Sequence, residues 1–480
     1  MKRNVFILAL CALFLQSKAQ ERIMVIADPH VTPQSVIDAE PDFDTYMIKQ
    51  RKMLDLSEPM WYTLMDTALK YHPDLLLIPG DLTRDGEPEA HTLVSNSLLA
   101  LQQAGIPSIV IPGNHDNTSG FTPAAVEPIK GLTVLAFYDG VSLDWLAAEA
   151  DAAVAKGNTV IAMTHRQLID HFDGKGTLES SARMTNADTV RSVLAHHGVH
   201  LVLTGHFHVN SISTWRDSIT GDSLVELSTG SPITYPCPYR WLTLSPDRSQ
   251  ISVQTDYITS LGEIADMHTY SREWMAEHTR NLLPVIAQKA INKSEALIAK
   301  LKKSIFTTGI AMILENCMPD EAKLTQLIEK HLGTLIINMY LLHSDGNELT
   351  HPEAAEFARN FPAGIQALMA EMMAECADEE TLNFFVSTVM DIVQVPLQSI
   401  LTDVTGYASP ALRNCTDDLQ PVLTIGTPQG QSIDQLTDDL SHSTHKYLHN
   451  GQLIIRHNAA YYNAQGILMY NEKLLYNTNY

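Results

Sequence analysis

The stretch "SIVIPGNHDNT", Ser108 to Thr118, decides how the rest of the chain is read. Ile109, Val110 and Ile111 are β-branched and favour a strand. Pro112-Gly113 ends that strand. Asn114, His115 and Asp116 follow at once, three compact polar side chains placed where the backbone must turn. A strand that stops on such residues is either a capped turn or one wall of a site. The same question can be put to every apolar run in the chain.

Four other runs have the same form: Arg22–Ala27 "RIMVIA", Leu75–Pro79 "LLLIP", Thr159–Thr164 "TVIAMT" and His200–Thr204 "HLVLT". Each is short and almost wholly apolar, the pattern of a strand buried on both faces. The first is followed by Asp28-Pro29-His30 and the second by Gly80-Asp81. The fourth and fifth along the chain deliver His165-Arg166 and Gly205-His206-Phe207-His208. All five strand ends therefore carry metal-ligand types, at the edge where open α/β sheets bind ligands. In Asp28-x-His30 and His206-x-His208 an extended backbone points both side chains the same way. Gly80, Gly113 and Gly205 permit sharp turns and close backbone approach.

Between the runs lie segments at helical spacing. "PMWYTLMDTALKYH" places Trp61, Leu64, Met65, Ala68 and Leu69 on one face. "PEAHTLVSNSLLALQQAG" and "NADTVRSVLAHHG" each end on a capping glycine, Gly105 and Gly198. This alternation predicts an α/β core. Strands and turns take over from about residue 211 to 259. Helical period dominates beyond about 261, in "LLPVIAQKAINKSEALIAKLKKS", "EAKLTQLIEKHLGTLIINMYLL", "IQALMAEMMAEC" and "LNFFVSTVMDIVQVPLQSIL". The reading divides the chain into 1–19, 20–260, 261–425 and 426–480. The third part is mainly helical, and the last has short strands packed on the rest.

The first part, "MKRNVFILALCALFLQSKA", joins Lys2 and Arg3 to an apolar run and ends on small residues. It reads as a secretory signal cut near Ala19, so the protein is expected to be exported, periplasmic or secreted. No stretch reads as a transmembrane helix. The formal charge is −23, and loss of the three cations in 1–19 makes it −23 − 3 = −26. A surface that acidic repels polyanions, which excludes non-specific nucleic-acid binding. Cys237, Cys317, Cys376 and Cys415 form no C-x-x-C pair. Pairing among the last three and free buried thiols are both open.

D-x-H, G-D, G-N-H-D, a lone His and G-H-x-H, in that order over residues 22–258, closely resemble the calcineurin-like metallophosphoesterases. The resemblance implies a sandwich of two β-sheets flanked by helices, with a two-metal site at the strand ends. It implies that Asp28, His30 and His208 bind one divalent ion, that Asn114, His165 and His206 bind another, and that Asp81 bridges them. It makes His115 the general acid facing the leaving group, with Asp116 steadying its ring, while a metal-bound hydroxide attacks phosphorus. Mixed imidazole and carboxylate ligands favour Mn, Fe, Zn or Co. With two carboxylates and one hydroxide against two divalent ions, such a site stays net positive and attracts a small phosphate ester, whether monoester or diester.

The bland alternatives are a turn for G-D, a capping turn for Asp-Pro-His, and one unremarkable histidine among 20 for His165. Arg166 and Arg51-Lys52 read first as structural or solvated residues, and Tyr235 and Tyr239 as core tyrosines. In the related purple acid phosphatases G-D-x-x-Y supplies a tyrosinate ligand; here that position is Arg84. A reading of a different class is a retired phosphoesterase scaffold that binds partners through its helical part.

Overall fold

The structure, a computed structural model, describes residues 20–171, 183–303, 308–347, 351–374, 412–414 and 418–425. It also describes positions 383 and 387 and four short strands beyond residue 443. The leader expected at 1–19, nearly all of the helical stretch 382–401, Cys376 and Cys415 lie outside the described residues. The chain forms two compact units, Met1–Gly426 and Thr427–Tyr480.

Two sheets build the first unit. One contains β1 (Arg22–Val25), β2 (Leu75–Ile78) and β3 (Ser108–Val110), mutually parallel. Antiparallel β10 (Pro238–Leu244), β11 (Gln250–Tyr257) and β13 (Val422–Thr424) extend it beyond β1. The other has the order β12-β8-β9-β7-β6-β5-β4. In it β5 (Leu132–Ala136), β6 (Thr159–Met163), β7 (Leu201–Thr204) and β9 (Ser223–Ser228) run parallel. Antiparallel β4 (Ala124–Ile129) and β8 (Ser211–Arg216) flank them, and β12 (Leu412–Asn414) pairs with β8. The five apolar runs are thus split three and two between the sheets. β5 is fully buried, yet it was not among those five runs.

Strand alternation explains why the runs are apolar throughout. Ile23, Val25, Leu75 and Leu77 point between the sheets, against Ile161, Met163, Leu201 and Leu203. Their neighbours Met24, Ile26, Leu76 and Ile78 point outward, into a layer built with Trp61, Leu64 and Met65 of the helix Ser57–Tyr71. On the opposite outer face Val160, Ala162 and Val202 meet Leu146, Val190 and Leu194. Burying each large aliphatic side chain contributes roughly 1.5–3 kcal/mol, so both faces of these strands must be covered. The stripe on Ser57–Tyr71 runs through Met60, Trp61, Leu64, Met65 and Ala68; Leu69, expected on it, is 45% exposed.

Helices follow from Met267 to Met373. Leu283, Ala287, Leu324, Leu327, Leu332, Ile336 and Met369 form their shared core. The run "EAKLTQLIEKHLGTLIINMYLL" is not one regular helix: Glu329–Gly333 forms a π-helical turn between Glu321–Ile328 and Thr334–Asp345. Cys317 is disulfide-bonded and Cys237 is a free, buried thiol. Among the described residues no helix is long and apolar enough to cross a membrane. The second unit holds an antiparallel meander of β14 (Thr444–His449), β15 (Gln452–His457), β16 (Ala460–Asn463) and β17 (Leu468–Asn471).

Candidate metal centre

The carboxyl ends of β1, β2 and β3 meet those of β6 and β7. Backbone bonds carry the first sheet's pairing past the strand ends: Asp28 N–H donates to Gly80 O (3.2 Å) and His30 N–H to Asp81 O (3.0 Å). The second sheet is tied in by His206 N–H, which donates to Asp28 Oδ1 at 2.8 Å. Asp28, His30, Asp81, His206 and His208 all adopt positive φ, between 40° and 68°. Asp and His tolerate this region better than most residues, but each such residue still costs on the order of 1–3 kcal/mol. Five of them in one cluster is the signature of a backbone held for function.

The polar atoms converge in two groups. Asp28, His30, Asp81 and His208 offer ligand atoms within 4.8 Å of one another, and so do Asp81, His165 and His206, with Asp81 common to both. His30 Nε2 lies 3.1 Å from His208 Nε2 and 3.5 Å from Asp81 Oδ2. His165 Nε2 lies 3.3 Å from the same Asp81 oxygen, 3.1 Å from Asn114 Oδ1 and 3.2 Å from His206 Nδ1. Asn114, from the GNHD stretch, thus joins the second group. His165 Nδ1 faces the carbonyl oxygen of Pro79 at 2.9 Å, which fixes the ring.

Electrostatics ask for cations here. Burial holds the His30 and His208 imidazoles well below their ordinary range and pushes His206 down to about 3, which favours the neutral form able to bind a metal. Burial also raises the Asp28 carboxyl. For Asp81 burial acts upward too, but the His165 hydrogen bond, the neighbouring imidazoles and the His115 backbone N–H outweigh it and hold this carboxyl well below the usual range. Burial would lower His165, yet the Asp81 hydrogen bond and the Asp81 and Asp28 charges raise it to about 9. The rise reflects two buried carboxylates that favour positive charge beside them. Facing imidazole nitrogens at 3.1 Å can hold at most one hydrogen between them, and with none their two lone pairs converge. Asp28, His30, Asp81, His165, His206 and His208 suit a dinuclear metal site.

Two glycines make the cluster possible. A Cβ on Gly113 would lie 2.0 Å from Asp81 Oδ1, and one on Gly205 would lie 2.3 Å from Asp28 Oδ2. Both are under any contact that real Cβ atoms make.

His115 stands beside this cluster, its ring edge-on to His30 at 4.8 Å between centroids. Its backbone N–H donates to Asp81 Oδ1. The expectation that Asp116 steadies the ring is corrected. His115 Nδ1 pairs with Asp85 Oδ1 at 3.0 Å. Asp116 is buried and accepts from the N–H groups of Leu82, Thr83 and Gly113 and from the Thr83 hydroxyl. With four donors on its two oxygens it locks the β2 and β3 turns together instead. Asp85 was missed; the only signal was an acid four residues after Asp81 on the same turn.

The flanking residues sort clearly. Arg166 pairs with Asp139 at 3.0 Å. Arg84 is bound by Glu40 and Glu87. Tyr235 and Tyr239 are buried in hydrophobic clusters. A cleft of about 670 Å³ opens over Asp81, Asn114, His115, His206 and His208. Its outer wall is built from residues 49–52 and from the helices beyond 267.

A family model described as calcineurin-like phosphoesterase matches residues 21–210. Over 219 residues the chain is 30% identical to a protein of Synechococcus sp. named a probable cyclic nucleotide phosphodiesterase; the match takes in 39% of this chain and 79% of that one. Over 93 residues it is 38% identical to a DNA double-strand break repair protein of Sulfurisphaera tokodaii, spanning 18% of this chain and 24% of the relative. Among solved structures, a dimetal phosphatase from Danio rerio aligns with 49% of this chain and 95% of its own, at 14% identity and a TM-score of 0.37.

Proposed function

The chain belongs to the calcineurin-like phosphoesterase family, and on that premise we propose that it is an exported hydrolase of small phosphate esters working through two divalent ions. The observation that carries this reading is the double ligand group sharing Asp81. Asp28, His30, His208 and Asp81 would hold one ion; Asn114, His165, His206 and Asp81 would hold the other. Bound there, the ions supply Lewis-acid charge and a water of lowered pKa. His115 touches the departing group and gives it a proton, and Asp85 keeps the ring aimed. Such proton transfer contributes roughly 10²–10⁴-fold. Asp116, Gly113 and Gly205 act only by holding these groups in place.

Residues 20–260 carry the chemistry in this reading, and the helices between Met267 and Asp345 wall the cleft. The leader-like 1–19 supports export. So does the disulfide at Cys317, a bond typical of oxidising compartments. The cleft of about 670 Å³ and the charge of −23 favour small esters over nucleic acid.

The test is metal analysis of the purified protein together with hydrolysis of p-nitrophenyl phosphate and bis(p-nitrophenyl) phosphate, with His115→Ala as control. Two ions per chain and turnover that collapses in His115→Ala are expected. A protein that takes up no metal, or hydrolyses neither ester when loaded, would be a retired scaffold.

A further inference from the structure

The chain carries 55 acidic residues against 32 lysines and arginines, yet the cleft wall reverses that balance. Lys49, Arg51, Lys52, Lys289 and Lys293 all line it, and the only acid among the lining residues is Asp81 itself. None of the five is in an ion pair among the described residues, whereas Lys302, Lys330, Arg84 and Arg248 elsewhere all are.

The arrangement is built. The turn that holds Lys49 to Lys52 is clamped to the helical part: Trp274 Nε1–H donates to Gln50 O at 3.1 Å and Asn281 Nδ2–H to Ile48 O at 3.0 Å. On its other side Met53 N–H donates to Ile233 O at 2.8 Å. The Arg51 guanidinium stacks 4.2 Å from the Tyr340 ring centroid, which fixes it without neutralising it. Lys289 and Lys293 are four residues apart on the helix Leu283–Leu301, so they stand on one face. Like charges at that spacing oppose the helix, and no ion pair among the described residues offsets the cost.

We infer that this wall is a second anion subsite, and that the substrate carries a second phosphate group beyond the one hydrolysed. The inference rests on the phosphoesterase reading for the first phosphate. A phosphate needs nothing more than the metal site if it stands alone. Lys52 lies close enough to the metal cluster to interact with Asp81, Asp85 and Asp28, but Lys49, Arg51, Lys289 and Lys293 are in no ion pair among the described residues and have no task with such a substrate. They fit a second dianionic group, with Arg51 able to bind it in a bidentate fashion. The cleft volume suits a ligand of nucleotide size.

The experiment uses probes that cannot be hydrolysed, so affinity is read whether or not the protein turns over. Metal-loaded full-length protein is titrated calorimetrically with methylphosphonate and with α,ω-alkane diphosphonates from propane to hexane. At least one diphosphonate is expected to bind about tenfold more tightly than methylphosphonate, the worth of one charge-assisted contact. The advantage should shrink with added salt. Lys289→Gln combined with Lys293→Gln should remove most of it; glutamine matches lysine in helix propensity, so the fold persists, and circular dichroism verifies this. Arg51→Gln provides an independent variant on a different segment of the same wall. Equal affinity for mono- and diphosphonates, or an advantage that survives all three substitutions, overturns the inference. Loss of p-nitrophenyl ester hydrolysis in the unaltered protein instead overturns the phosphoesterase reading and leaves the affinity ratio to decide this one.

Discussion

Gly113 has no Cβ, and Asp81 Oδ1 occupies the space where one would be: the separation would be 2.0 Å, with Asp81 N at 2.4 Å. The turn after β3 can thus close onto the turn after β2, and the shared carboxylate lies between both ligand groups. Gly113→Ala is therefore expected to push Asp81 out of place. Metal content should fall well below that of the unaltered protein while far-ultraviolet circular dichroism stays native. Gly309→Ala, with open space around its Cβ, is the control. It should keep full metal and a native circular dichroism spectrum. Full metal occupancy in Gly113→Ala would show that the close approach does not matter.

Asp81 and His206 should behave as ligands. Asp81→Asn removes the carboxylate common to both groups, and His206→Ala removes a nitrogen of one of them. Elemental analysis should find both ions depleted in the first variant, and one chiefly in the second, with activity lost in both. An active, fully loaded Asp81→Asn protein would contradict the bridging role.

His115 and Asp85 should separate from the ligands in a different way. His115→Ala is expected to keep its metal yet lose roughly 10²–10⁴-fold in kcat, most for esters with poor leaving groups. Asp85→Asn should keep metal and lose about tenfold, the scale of one charge-assisted hydrogen bond. Asp116→Asn should act on stability instead, because its carboxylate bonds three backbone N–H groups. Thermal unfolding should move to lower temperature by several degrees. If Asp116→Asn lowers kcat with no change in unfolding, the division between these two acids is wrong.

Arg84 replaces the tyrosine that colours purple acid phosphatases, and Glu40 and Glu87 hold its guanidinium. Iron-loaded protein should therefore show no tyrosinate-to-iron charge-transfer band in the visible spectrum. A purple preparation would mean that another tyrosine reaches the metal.

The residues that meet at the candidate centre were legible because their signals are local. Each residue of the two groups lies within five residues of the end of an apolar strand, and strand ends are marked by residue type alone. Asp28, Asp81, Asn114, His165 and His206 are recognisable one block at a time, and the order of blocks does the rest. The partner of His115 was not legible in this way. Asp116 is its neighbour in sequence, yet Asp85, 30 residues away, holds its ring. Only the packing of two turns decides which carboxylate meets an imidazole and which meets backbone N–H groups.

The cleft marks the same division at longer range. Apolar period and turn chemistry determined the strands, the helices and the polar residues at the strand ends, since each depends on a few neighbours along the chain. Arg51-Lys52 looked like a solvated face, and Lys289 and Lys293 like ordinary lysines on an amphipathic helix. Their meeting over the metal centre joins segments more than 200 residues apart. It depends on how the helix Leu283–Leu301 docks and on the bonds from Trp274 and Asn281 to the 48–50 turn. Charge in sequence has no direction; tertiary structure supplies it.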